Sequence, residues 1–266
     1  DRFNVYAVKA ISKNEGVNGV SETIFSAEFT GGTAISGDNT KVFTYALKVP
    51  SISSTSNLTV IAVLNSSNYA GTCSMYSSGA SVAYCPIVNN NDEAFRQVII
   101  HEAGGHGFGK LMDEYASDNS GTITSSRIST FNWEVSLGWG ANTDITNDAS
   151  QIRWAHFLED SRYSGLVGIY EGALTYEYGA YRPTDVSIMR YNTGGYNAPS
   201  REEIYRRIMI QSGEEYDFEE FVAYDAINLS VSSQTYSAVQ AANLDKSTFV
   251  PLASPVVILG SPELSR

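Results

Sequence analysis

Hydrophobic and polar positions fall into short, strand-like runs over the first third of the chain and into helical periods later. Phe3 to Ala10 alternates and is rich in β-favouring residues, so it reads as a strand. Ser12 to Thr30 is polar with mixed signals, read as a loop and a further strand, and residues 31 to 40 carry loop chemistry. Val42 to Val49 fits either helix or strand. Leu58 to Leu64 is a continuous apolar run, the pattern of a strand buried on both faces. Asn65 to Ser78 is turn-rich. Ala80 to Val88 reads as another strand, and Pro86, with no N–H to give a ladder, predicts a sheet edge.

Helical signals begin at Asn91, Asp92 and Glu93, a cap followed by two first-turn acids. Phe95, Val98, Ile99 and Ala103 then line one helical face, and Gly107 and Gly109 are expected to end it. An edge strand ahead of this helix would let an extended peptide add alongside as a further strand. Arg127 to Leu137 predicts a helix stopped by Gly138, with Trp133, Trp139 and Trp154 packing a second layer. Tyr170 to Pro183 is aromatic-rich around Glu171 and reads either as the wall of a site or as ordinary core. Ser200-Arg-Glu-Glu203 is a capping box. It opens a helix over Arg201 to Gln211 that Gly213 stops, and Phe218 to Ile227 predicts another. Residues 228 to 266, rich in Ser, Pro and Val, suit a small β appendage or a tail.

Composition narrows the class. With 266 residues, 42% hydrophobic and 17% charged, the chain can bury a substantial core. A net charge of −12 argues against nucleic acid, whose phosphates demand a basic face. No apolar run approaches the roughly 18 residues of a membrane span. The chain opens directly on strand-like sequence, which reads as a piece of a longer precursor. Cys73 and Cys85 are the two cysteines, and a disulfide across a hairpin is the expected pairing, which implies an oxidising compartment.

The chemistry concentrates in residues 98 to 115, Val-Ile-Ile-His-Glu-Ala-Gly-Gly-His-Gly-Phe-Gly-Lys-Leu-Met-Asp-Glu-Tyr. Two of the three histidines, His101 and His106, lie here, with Glu102 beside the first and Asp113 and Glu114 downstream. Two imidazoles, an adjacent carboxylate and a further oxygen ligand make a catalytic Zn²⁺ site. The spacing is HExxxH where the common motif is HExxH. On a regular α-helix five steps overshoot one full turn by about 140°, against about 40° for four. The histidines can therefore share a metal only across a π-turn, and Gly104 and Gly105 lie inside the interval where distortion costs least. A local π-bulge between His101 and His106 is predicted. The third histidine, His156, reads as an ordinary packed or exposed residue rather than a further ligand.

These motifs resemble the metzincin clan of zinc endopeptidases, in which HExxHxxGxx and a following His or Asp precede a methionine turn. His106 stands three residues before Gly109, as that pattern requires, and Ser187-Ile-Met-Arg-Tyr191 is similar to the astacin-type turn Ser-Ile-Met-His-Tyr. Within the clan, Asp113-Glu114-Tyr115, the Tyr-Arg-Pro at 181 to 183 and the Arg-Glu-Glu at 201 to 203 most resemble the immunoglobulin A peptidase family of gut bacteria. The extra residue between the histidines departs from the clan and is similar to dipeptidyl peptidase III enzymes, which carry HExxxH on a bulged helix.

The resemblance implies an α/β (α+β) fold, a metzincin-like zincin catalytic domain with a mixed twisted sheet, an active-site helix and a Met-turn. Residues 1 to 215 would be that domain, with an N-terminal subdomain to about 110 and a C-terminal subdomain after it, and 216 to 266 a C-terminal helix and tail packed on it. His101, His106 and Asp113 are the expected Zn²⁺ ligands, with Glu114 the runner-up for the third. Glu102 is the expected general base, Tyr191 the oxyanion donor and Met189 a structural floor. The implied activity is zinc-dependent hydrolysis of peptide bonds in extracellular proteins by a secreted, periplasmic or cell-surface monomer that binds an extended protein or peptide substrate. The alternative is a glycan- or mucin-binding adhesion module with an inactive zinc site.

Overall fold

In the computed structural model, which describes residues 2–14, 17, 23–88, 92–230 and 242–264, a four-stranded mixed sheet anchors the first of two units. That unit comprises Phe3–Lys110 and Leu252–Arg266, and the second comprises Leu111–Pro251. The first begins with a small antiparallel ribbon, β1 (Glu28–Gly31) and β2 (Ala34–Ser36), followed by α1 (Asn39–Ala46), whose cap is the Asp38 side chain accepting from Lys41 N–H. Residues 31 to 40, expected as loop, thus contain a strand and the start of a helix. Val42, Phe43 and Ala46 give α1 a buried face, and this resolves the ambiguity over residues 42 to 49.

The sheet itself orders as β3 (Thr59–Leu64), β5 (Ser81–Pro86), β4 (Thr72–Tyr76) and a C-terminal strand, Val256–Ile258. β3 and β5 run parallel, β4 and β5 antiparallel, and the C-terminal strand parallel to β4. Several expectations change here. Leu58 to Leu64 is not buried on both faces: β3 is the edge strand, with Ile61 and Val63 exposed. β5 is central and fully buried. Pro86 permits this because it is the final residue of the strand, beyond the last rung shared with β4, which is Thr72 opposite Tyr84. The turn-rich stretch 65 to 78 contains β4, every residue of which is buried.

Phe3 to Ala10 forms no strand. Alternation supplies a surface for pairing but no partner, and among the described residues none pairs with it; Val5 is 88% exposed. Cys73 and Cys85 are free buried thiols, not a disulfide. The hairpin register sets Cys73 opposite Ala83, so Cys85 is diagonal rather than facing.

The second unit is built on helices. Thr124 caps α3 (Ser125–Ser136), which ends ahead of Gly138 at φ +75°. α4 (Ala155–Glu159) follows, and then the hairpin β6 (Tyr170–Ala173) and β7 (Tyr176–Arg182). α5 (Ile188–Tyr191) is one short turn. α6 (Ala198–Gln211) begins three residues earlier than the capping-box reading: Asn197, not Ser200, is the cap, accepting from Ser200 N–H, and Pro199 occupies the first turn. Proline suits that position because its missing N–H would have no helical partner there. Ser200 is buried inside the helix. α7 (Phe218–Asp225) closes the unit, with Ile227 beyond its end.

Trp154, Phe157, Tyr163 and Phe221 form the apolar core of this unit. Beside it, the buried Asp225 carboxylate accepts from Arg201 Nε at 2.6 Å and from the Tyr163 hydroxyl at 3.1 Å. Trp139 and Trp154 are buried as expected, while Trp133 is half-buried and meets Trp139 edge-on. No helix among the described residues is long and apolar enough to cross a membrane.

Candidate metal centre

The helix that carries the histidines begins as α2 (Asp92–Ile99), with Asp92 and Glu93 in its first turn. Asn91, expected to cap it, lies outside the described residues. From Ile100 to Phe108 the helix becomes a π-helix of nine residues. This is longer than the single bulge expected, and its signature bond runs from Gly109 N–H to Gly104 O at 2.8 Å, five residues apart. The wider turn does what the spacing requires: the His101 and His106 rings meet edge-on with centroids 4.9 Å apart. The helix does not end at Gly107. That glycine lets the π-helix sit on the sheet, because a Cβ there would come within 3.0 Å of Thr59 Cγ2 and 3.1 Å of Ser81 Oγ. The Ser81 hydroxyl donates to Gly107 O at 3.0 Å, pinning the π-helix to β5.

The chain turns sharply after the π-helix. Gly109 is right-handed, and Lys110 takes φ +53°, a helix-ending conformation rarely adopted by residues with a Cβ. Residues 111 to 115 then run buried, and Asp113 brings a carboxylate oxygen to the histidines. One ligand atom from each of His101, His106 and Asp113 lies within 4.8 Å of the others, and all three residues are buried. Two imidazoles and a carboxylate in one buried cluster suit a divalent transition metal, and three protein donors leave a tetrahedral ion one position open.

Glu102 is wholly buried on the π-helix next to His101. Its carboxylate stands against Gly71, where a Cβ would fall 2.7 Å from Oε1 and 2.9 Å from Cγ. Gly71, which the sequence reading did not single out, therefore provides the space for Glu102. Nothing in the sequence marks it, because residues 65 to 78 read as turn-rich. Burial, and secondarily the charge of Glu102, push the Cys73 and Cys85 thiols up and keep them protonated.

Glu114, the runner-up ligand, is engaged elsewhere. Its carboxylate accepts from Asn142 Nδ2 at 2.8 Å, from Asn197 Nδ2 at 2.8 and 2.9 Å, and from Ser187 Oγ at 2.6 Å. Burial raises its pKa, and the hydrogen bonds from Ser187, Asn142 and Asn197 pull the other way. Asn142 also clasps the neighbouring backbone, accepting from Met112 N–H and donating to Met112 O. Asn142 and Asn197 were not legible as part of a site, since each is an isolated polar residue far from 114 in sequence, and Ser187 was read only as the first residue of the Ser-Ile-Met-Arg-Tyr turn.

Met189 lies buried on α5, and its carbonyl accepts from Glu114 N–H at 2.9 Å. Tyr191, at the end of α5, packs edge-on to Phe249 with centroids 5.1 Å apart. His156 is exposed and shares its Nε2 with the Glu202 carboxylate, so it is an ordinary surface histidine and no member of the cluster. Glu171 accepts from Gly179 N–H within the β6–β7 hairpin.

A comparison with curated proteins finds no match. The family model described as IgA Peptidase M64 matches residues 1–162, more than half of the chain, including His101, Glu102, His106 and Asp113. The chain therefore belongs to the IgA peptidase M64 family: it is a peptidase, a hydrolase acting on protein, with a buried histidine–histidine–aspartate cluster compatible with a metal ion.

Proposed function

We propose that the protein is a zinc-dependent endopeptidase of metzincin type that cleaves extracellular proteins outside the cytoplasm. The observation that carries this reading is the buried cluster of His101, His106 and Asp113, with Glu102 next to His101 on the π-helix. When bound, Zn²⁺ supplies Lewis acidity, polarising the scissile carbonyl and lowering the pKa of water.

The chain's own residues do the rest. His101, His106 and Asp113 would hold the ion, each offering one donor atom. Glu102 takes a proton from the attacking water on a carboxylate oxygen and returns it to the leaving amine. Its buried position, set by the space at Gly71, keeps that carboxylate in one place. Tyr191 donates its hydroxyl proton in a hydrogen bond to the developing oxyanion of the substrate. Met189 is a packed support and not a ligand.

An adhesion module with a structural zinc is less well supported. A closed structural site calls for a fourth protein ligand. Among the described residues the cluster has three members, and His156 is bound to Glu202. The test is incubation of the full chain with casein and gelatin, with and without a chelator. Cleavage that stops on chelation and returns with Zn²⁺ is expected. Cleavage that persists in metal-free protein, or none with zinc loaded, contradicts the proposal.

A further inference from the structure

We propose that Glu114 is a positioning residue: it ties the segment carrying Asp113 to the start of α5 and the cap of α6, and so fixes the Asp113 carboxylate beside His101 and His106. The inference rests on the zinc reading above. It adds a role for a neighbouring acid that contributes no donor atom to the cluster.

The backbone on both sides of Asp113 is pinned. Met112 is held at N–H and at carbonyl by the Asn142 side chain, at 2.9 and 2.8 Å. Asp113 O accepts from Leu174 N–H, Glu114 N–H donates to Met189 O, and Tyr115 O accepts from Thr175 N–H, at 2.9 to 3.0 Å. Leu174 and Thr175 both adopt positive φ, +54° and +71°, at the β6–β7 turn. A leucine and a β-branched threonine are costly choices there, and such strain persists where surrounding contacts over-determine the backbone. The bonds to Asp113 and Tyr115 are contacts of that kind.

The Glu114 carboxylate is the common acceptor that joins these supports. Asn142 reaches it with the same amide nitrogen that binds Met112 O. Asn197 reaches it while its own Oδ1 caps α6. Ser187 precedes α5 without capping it and gives its hydroxyl to Glu114 instead. Three segments distant in sequence thus converge on one buried carboxylate. A carboxylate accepts all four of these bonds, whereas an amide in its place would turn an NH₂ group toward donors. Groups that orient a ligand from behind in this way tune metal affinity.

The experiment measures Zn²⁺ affinity of the full chain by competition with a chromophoric chelator, alongside the visible spectrum of the Co²⁺-loaded protein. Wild type, Asp113→Ala, Glu114→Gln, Glu114→Asp and Ser187→Ala are compared. Glu114→Gln is expected to weaken Zn²⁺ binding about tenfold to a hundredfold and to shift the Co²⁺ bands even at saturation. Ser187→Ala, which removes one donor and is the fallback should Glu114→Gln not fold, is expected to weaken binding about threefold to tenfold. Glu114→Asp is expected to restore part of the loss. Unchanged affinity and an unchanged saturated spectrum in folded Glu114→Gln, or in Ser187→Ala where it stands in, overturn the positioning role. Failure of wild type to bind Zn²⁺, or equal binding by Asp113→Ala, overturns the metal reading itself, and the two failures are therefore distinct.

Discussion

The stretch bearing the two histidines and the stretch bearing the acid are held in opposite ways. The π-helix from Ile100 to Phe108 is positioned by what is missing: Gly107 lets it rest on Thr59 and Ser81, and Gly71 leaves room for Glu102. Residues 112 to 115 are positioned by what is present, a set of directed hydrogen bonds with Asn142, Ser187, Asn197, Leu174, Thr175 and Met189. Steric fit fixes a rigid helix well, because glycine at a close approach leaves one packing solution. An extended segment has no internal bonds, so each of its orientations must be set from outside. The two substitution classes should therefore behave differently, glycine changes acting through volume and acid-side changes through unsatisfied polar groups.

The largest expected effect lies on the helix side, in Glu102→Ala. With the cluster of His101, His106 and Asp113 intact, the variant should retain zinc while kcat/KM on casein falls about 10²- to 10⁴-fold. Retained cleavage would remove Glu102 as the base. Gly71→Ala comes next. Its Cβ would enter the 2.7 Å space against Glu102 Oε1 and displace the carboxylate. A displacement near 1 Å is expected to cost about 10²-fold in rate with little change in zinc content. An unaltered rate would mean that the space at Gly71 has no bearing on Glu102.

On the acid side, Asn142→Ala should cost stability. It strips partners from Met112 N–H, Met112 O and Glu114 together, and about 3 kcal/mol of destabilisation is expected in urea titration. A loss below about 1 kcal/mol would show that these bonds are readily replaced by water. Gly107→Ala should cost less, about 1–2 kcal/mol, because Thr59 Cγ2 and Ser81 Oγ can each give a few tenths of an ångström. The smallest effect concerns Cys73 and Cys85. Both are buried thiols with their pKa values pushed up, so the folded protein should resist alkylation. The denatured, unreduced protein should take up two equivalents by mass spectrometry, and none would indicate a disulfide.

The same contrast explains what could be read in the sequence. The π-helix was legible because it is a local problem: histidines five apart cannot share a side of an α-helix, and two glycines mark where the backbone yields. Asp113 was legible from its place after the turn. The supports of Glu114 were not, since Asn142, Ser187 and Asn197 become neighbours only through tertiary folding. Strand order failed for a related reason. The apolar run of β3 and the proline of β5 report local preference, whereas edge and centre depend on which strands are recruited, including one from residues 256–258. Phe3 to Ala10 has the alternation of a strand and lacks a partner among the described residues.

On the proposed reading, His101, His106 and Asp113 together grip one zinc ion. X-ray absorption of the zinc-loaded full chain tests it most directly, read with the metal content of His101→Ala, His106→Ala and Asp113→Ala. One zinc per chain, a coordination sphere of two imidazole nitrogens and oxygen donors, and loss of zinc in all three variants are expected. A sulfur ligand, a single imidazole, or full zinc occupancy in Asp113→Ala would contradict it.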